Sequence, residues 1–171
     1  IFKFDHIFNH EDDIKDIFEN SIKPLAKTAF EQGLQHTMIC YEPISLAYSL
    51  TVLGLGVSSL PVDDTLLYYT MKYILDLCIF KSDVKSALQI ALIGHYKDDI
   101  IDMYNDGKSL DSPLGYTIEN HAQLEKFFEY SRVQIRRFSD VDHLTVSLYF
   151  QNKKIRGDEV VVISLDLAMN K

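Results

Sequence analysis

Two carboxylates raise the first question of chemistry. Glu42 follows the strand-like run Thr37 to Tyr41, and Asp166 lies inside the strand-like run Val160 to Ala168. A carboxylate pair can do general acid–base work when one member is protonated and the other ionised. The simpler reading places Glu42 in a solvated turn and leaves Asp166 held by neighbouring hydrogen bonds. His36, His95, His121 and His143 follow no metal-ligand spacing, so they read as ordinary core or surface histidines and no metal site is expected. Gly54 to Gly56 lack the third glycine and the acidic follower of a dinucleotide site. The most informative stretch is Glu42-Pro43-Ile44-Ser45-Leu46-Ala47-Tyr48-Ser49. It follows a buried-looking strand, where nucleotide-binding α/β proteins carry a glycine-rich loop. Glycine is needed there so that backbone N–H groups can face phosphate without a Cβ in the way. This stretch has no glycine. Pro43 removes a backbone donor and Glu42 adds a negative charge. Ser49 alone offers a hydroxyl suited to magnesium, and one ligand does not make a site.

The elements that must position these residues follow from periodicity. "FKFDHIF" alternates and suits a short strand. Asn9 is a candidate cap for a helix whose first turn holds Glu11, Asp12 and Asp13, and whose apolar face runs Ile14, Ile17, Phe18, Ile22, Leu25, Ala29, Phe30. Pro24 should kink it and Gly33 should end it. "TMICY" reads as a strand buried on both faces, as in a mostly parallel sheet. Ile44 to Leu53 has a helical pattern, and "GLGVSSLP" is a loop. A second helix covers "VDDTLLYYTMKYILDLCIF", capped by Asp63 or Asp64, with Leu66, Tyr69, Tyr73 and Leu77 inside. Tyr68, Tyr69 and Tyr73 read as core and helix surface, not as a binding platform. "ALQIALIGHY" is a strand, which "DDIIDMYN" continues or follows, and "GKSLDSPLG" is a loop. "ENHAQLEKFFEYSRVQIRR" is an amphipathic helix with Leu124, Phe127, Phe128, Ser131 and Ile135 on one side. "HLTVSLYF" and "VVVISLDLA", joined by the polar turn that holds Lys153, Lys154 and Arg156, make an antiparallel hairpin. The sum is a three-layer α/β domain with a mixed central sheet.

Composition agrees. The chain has 171 residues, 47 % hydrophobic and 25 % charged, enough for one domain with a sizeable core. A net charge of −8 implies no general affinity for nucleic acid. Cys40 and Cys78 sit in apolar runs and read as buried free thiols of a reducing compartment. No signal peptide or membrane span is evident, and the expectation is an intracellular soluble domain.

Taken in order, these segments resemble a kinesin motor domain. "FKFDHIF", a helix carrying "IKPL", then "GLQHTMICY" resemble the kinesin run FxFDxVF, VxPLV, GYNxTIFAY. "HYKDDIIDMY" resembles IYNExIxDLL, "DHLTVSLYF" resembles SHxIFTI, and "ISLDLAMNK" resembles LVDLAGSE. The match is collinear over nearly the whole chain. It implies a P-loop NTPase-like fold for residues 1–171, read as one partial motor-homology domain that lacks the first strand and the C-terminal helices of a complete head.

The departures fall at the chemical positions. Against the family's GQTGSGKT, Glu42 to Ser49 puts Tyr48 where the phosphate-binding lysine belongs. Against SSRSH, residues Ser139 to His143 put Val141 at the arginine and Asp142 at a serine. Against DLAGSE, Asp166 is kept, Met169 replaces the glycine and Lys171 replaces the glutamate. Both partners of the salt bridge that kinesins form between arginine and glutamate are therefore lost together. Phosphoryl transfer is mostly positioning and electrostatics, and losing one such contact costs on the order of a hundredfold in rate. The expectation is no ATP hydrolysis and no cofactor, with Ile44, Leu46 and Tyr48 packed where nucleotide would sit.

The pattern is similar to the non-catalytic subunits of yeast heterodimeric kinesins. That resemblance implies a domain that binds microtubules and partners a catalytic, minus-end-directed C-terminal kinesin through an upstream coiled coil. It implies a cytoskeletal location at the spindle or spindle pole, in nucleus or cytoplasm, with no nucleic-acid or membrane partner. Arg132, Arg136 and Arg137, gathered at the end of one helix, suit the helix dipole and are the weak candidates for contact with acidic tubulin. Two alternatives stand beside this reading: a pseudoenzyme that binds nucleotide as a regulatory ligand, and an unrelated α/β enzyme with an open polar pocket.

Overall fold

The computed structural model describes residues 3–9, 11–40, 64–80, 88–104, 108–109, 116–137, 143–151 and 160–168. Lys3 to Asn9 form no strand, contrary to the alternation of "FKFDHIF", and Phe4 and Ile7 are exposed. Alternation makes a strand only where another strand receives it. Asn9 caps a turn instead of the helix: its Oδ1 accepts from the Glu11 N–H at 2.8 Å, and its carbonyl accepts from the Asp12 N–H at 3.2 Å. The helix cap is Asp13, whose Oδ1 accepts from the Lys15 N–H at 3.1 Å.

The helical segment has three parts: α1 (Ile14–Ile17), a π turn (Phe18–Ile22) and α2 (Lys23–Gln32). Pro24 lies in the first turn of α2, and its effect is taken up one turn earlier. The Lys23 N–H reaches back five residues to the Phe18 carbonyl. Proline donates no N–H, so a wider turn shifts the ladder by one residue where an α turn would lose a bond. Gly33 closes α2 with φ 70° and ψ 22°, its N–H donating to the Ala29 carbonyl at 2.9 Å. Left-handed backbone is cheap only for glycine.

α3 (Leu66–Phe80) is capped by Thr65, whose Oγ1 accepts from the Tyr68 N–H at 3.2 Å, and not by Asp64; Asp63 is outside the described residues. It is buried more broadly than one stripe: Leu67, Met71, Ile74, Leu75 and Cys78 join Leu66 and Leu77, while Tyr69 and Tyr73 pack at its margin against Phe18. α4 (His121–Arg137) buries Leu124, Phe127, Phe128 and Ser131, as its spacing predicts.

Seven strands among the described residues make one mixed sheet: β1 (His36–Cys40), β2 (Leu88–Tyr96), β3 (Asp99–Asp102), β4 (Lys108–Ser109), β5 (Tyr116–Ile118), β6 (His143–Gln151) and β7 (Val160–Ala168). The order is β1-β7-β6-β2-β3-β4, with β5 also on β2. The hairpin of β6 and β7 forms as expected, and β1 on β7 is the parallel pair. β4 and β5 were not legible, because two and three residues carry no period.

β1 is not buried on both faces. It lies at one end of the described strand order, and Ile39 is 72 % exposed. Alternate residues of the central strands face the helices: Leu88, Ile90 and Leu92 of β2, Val146, Leu148 and Phe150 of β6, and Ile163 of β7. α2 packs on α3 and α3 on α4, so the described helices form one layer over that face. On the other face Gln89 is exposed, while Ile93, His95, Thr145 and Tyr149 are half-buried. A second helical layer is not present among the described residues. No described helix is long and apolar enough to cross a membrane.

Candidate functional site

The strand ends that adjoin the three degenerate segments in the chain lie at one end of the sheet. β1 and β7 run parallel, with Cys40 opposite Leu167, and β6 starts beside them, with His143 opposite Ala168. Glu42 to Ser49 follow β1 in the chain, Val141 and Asp142 precede β6, and Met169 and Lys171 follow β7. Open α/β sheets bind ligands beyond the carboxyl ends of parallel strands. All of these residues except Asp166 lie outside the described ones, as do Gly54, Gly56, Lys153, Lys154 and Arg156. Asp166 is placed by register: it is opposite Ile39 on β1 and Thr145 on β6. The carboxylate pairing of Glu42 with Asp166 falls outside the described residues, Glu42 wholly and Asp166 in its side chain.

His36, His95 and His121 have protein partners, and the His143 side chain is outside the described residues. His36 Nε2 lies 3.0 Å from Thr28 Oγ1, His95 Nε2 lies 3.0 Å from Thr145 Oγ1, and His121 Nε2 lies 2.7 Å from Asp76 Oδ1. Asp76 also takes Lys72 at 3.1 Å. Among residues whose side chains are described, no three His, Cys, Asp or Glu stand together as a metal group.

The shifted acidities belong to the core. Burial pushes the Cys78 thiol up to about 12, which marks it as a packing residue and not a nucleophile. Burial raises Tyr104, and Tyr116 and Tyr130 beside it add to the rise. Tyr104 sits among Tyr116, Phe127 and Tyr130 with ring centroids 4.7 to 5.2 Å away. Beside this cluster Gln134 is 4 % exposed, and its Oε1 has no hydrogen-bond partner among the described residues.

Arg132 and Arg137 lie near the C-terminal end of α4. Arg132 is half-buried and Arg137 exposed, and both are already engaged within the protein; the Arg136 side chain is outside the described residues. A cavity of about 50 Å³ separates α2 from β1, lined by Ile22, Leu25, Ala26, His36, Met38 and Ile163 among others. It is mainly apolar and lies on the helix side of the sheet, unlike the open polar pocket that an unrelated enzyme would need.

No protein-family model matches the sequence, and no curated protein matches it either. Solved structures do match. Against the Drosophila kinesin family member Kin10/NOD, solved with divalent manganese and ADP, the TM-score is 0.72 at 15 % identity, over 98 % of this chain and 58 % of that one. Against a fast kinesin it is 0.69 at 16 % identity, over 98 % of this chain and 53 % of that one. The chain spans a little over half the length of these structures. At such identities the shared property is the fold, and over the part it spans this chain has the fold of a kinesin motor domain.

Proposed function

We propose that the chain is a kinesin-like motor-homology domain that binds microtubules without hydrolysing ATP. Its role is that of accessory subunit to a catalytic, minus-end-directed C-terminal kinesin, joined through an upstream coiled coil, on the cytoskeleton of the spindle or spindle pole. One observation carries the reading: the fold of a motor domain coexists with a phosphate-loop position that has no glycine and has Tyr48 in place of lysine. A fold kept without its phosphate cradle fits a part that docks and does not turn over nucleotide.

Cosedimentation with microtubules at rising salt tests the docking half. Binding at low salt that weakens as salt rises is the expected result, and absence of binding at low salt overturns it. A thermal-shift scan with magnesium-ATP and magnesium-ADP tests the other half. A ligand of the folded state raises the melting temperature, and no shift is expected. The retained Asp166 and Ser49, together with the ADP bound by the Drosophila relative, favour a second reading, a nucleotide-binding regulatory pseudoenzyme. A clear upward shift with nucleotide selects it.

A further inference from the structure

We draw no further inference here: the strongest candidate, the mainly apolar cavity of about 50 Å³ between α2 and β1 that Ile22, Leu25, Ala26, Met38 and Ile163 line, carries none because nothing in the structure shows what would occupy it.

Discussion

Phe30 of α2 stacks on Phe150 of β6, with ring centroids 5.7 Å apart and planes at 24°. Both are almost wholly buried. The contact pins the last turn of α2 to the centre of the sheet, one turn before Gly33 turns the chain back into β1. It therefore helps set where β1 lies along β7. Phe30→Ala is expected to cost about 3–5 kcal/mol, the lost transfer of the ring plus the cavity it leaves. Urea unfolding measures this, and a loss below about 1 kcal/mol would show that the ring contributes no more than an ordinary surface residue.

Gly33 holds φ 70°, where a Cβ clashes with the following carbonyl. Gly33→Ala should destabilise by about 1–2 kcal/mol, and Gly33→Asn by less, since asparagine tolerates this region. Thermal unfolding of the pair gives the ranking, and equal melting temperatures would contradict it.

Gln134 offers a contrasting case. Its Nε2 donates to the Tyr130 hydroxyl while its buried Oε1 has no partner among the described residues. Removing both halves of a half-satisfied amide is close to neutral. Gln134→Leu should fall within about 1 kcal/mol of wild type or be more stable. Chemical denaturation decides, and a loss of several kcal/mol would mean that the amide is fully used.

The buried Cys78 gives stability a slope in alkali. Its folded acidity lies near 12 against an ordinary 9.0, so between those values the unfolded chain has released the proton and the folded chain still holds it. Stability from this group is complete below pH 9 and is lost as pH rises toward 12, by up to about 1.4 kcal/mol per pH unit. Cys78→Ala should flatten that decline, with Tyr73 and Tyr104, both raised by burial, leaving a residual slope. Denaturant midpoints taken from pH 8 to pH 11 test it. Below pH 9 the thiol should also resist a disulfide exchange reagent until the protein is unfolded.

Tyr48→Lys tests the proposed absence of ATP hydrolysis. On that reading, restoring one charge leaves residues 42–49 without glycine, Val141 where kinesins carry arginine and Met169 where they carry glycine. Since phosphoryl transfer needs these parts together, the variant should show no ATPase activity above a no-protein control. Measurable turnover would mean that the cradle is intact apart from its lysine.

The sequence by itself determined what depends on local period and on backbone chemistry. The hairpin of β6 and β7, strand β2, the buried face of α4 and the stop at Gly33 all follow from alternation, helical spacing or one residue's allowed dihedrals. It also displayed that residues 42–49 hold no glycine, because a glycine-rich loop is a local motif. Tertiary structure decided what depends on which element meets which. The one-residue shift before Pro24 required knowing where Lys23 could donate. Exposure of Ile39 required knowing that β1 lies at one end of the described strands, since an apolar run reads alike at an edge and at a centre. His95 and His143 became a pair only when β2 and β6 aligned in register, a relation that no spacing along the chain encodes, because cross-strand neighbours are set by packing and not by distance in sequence.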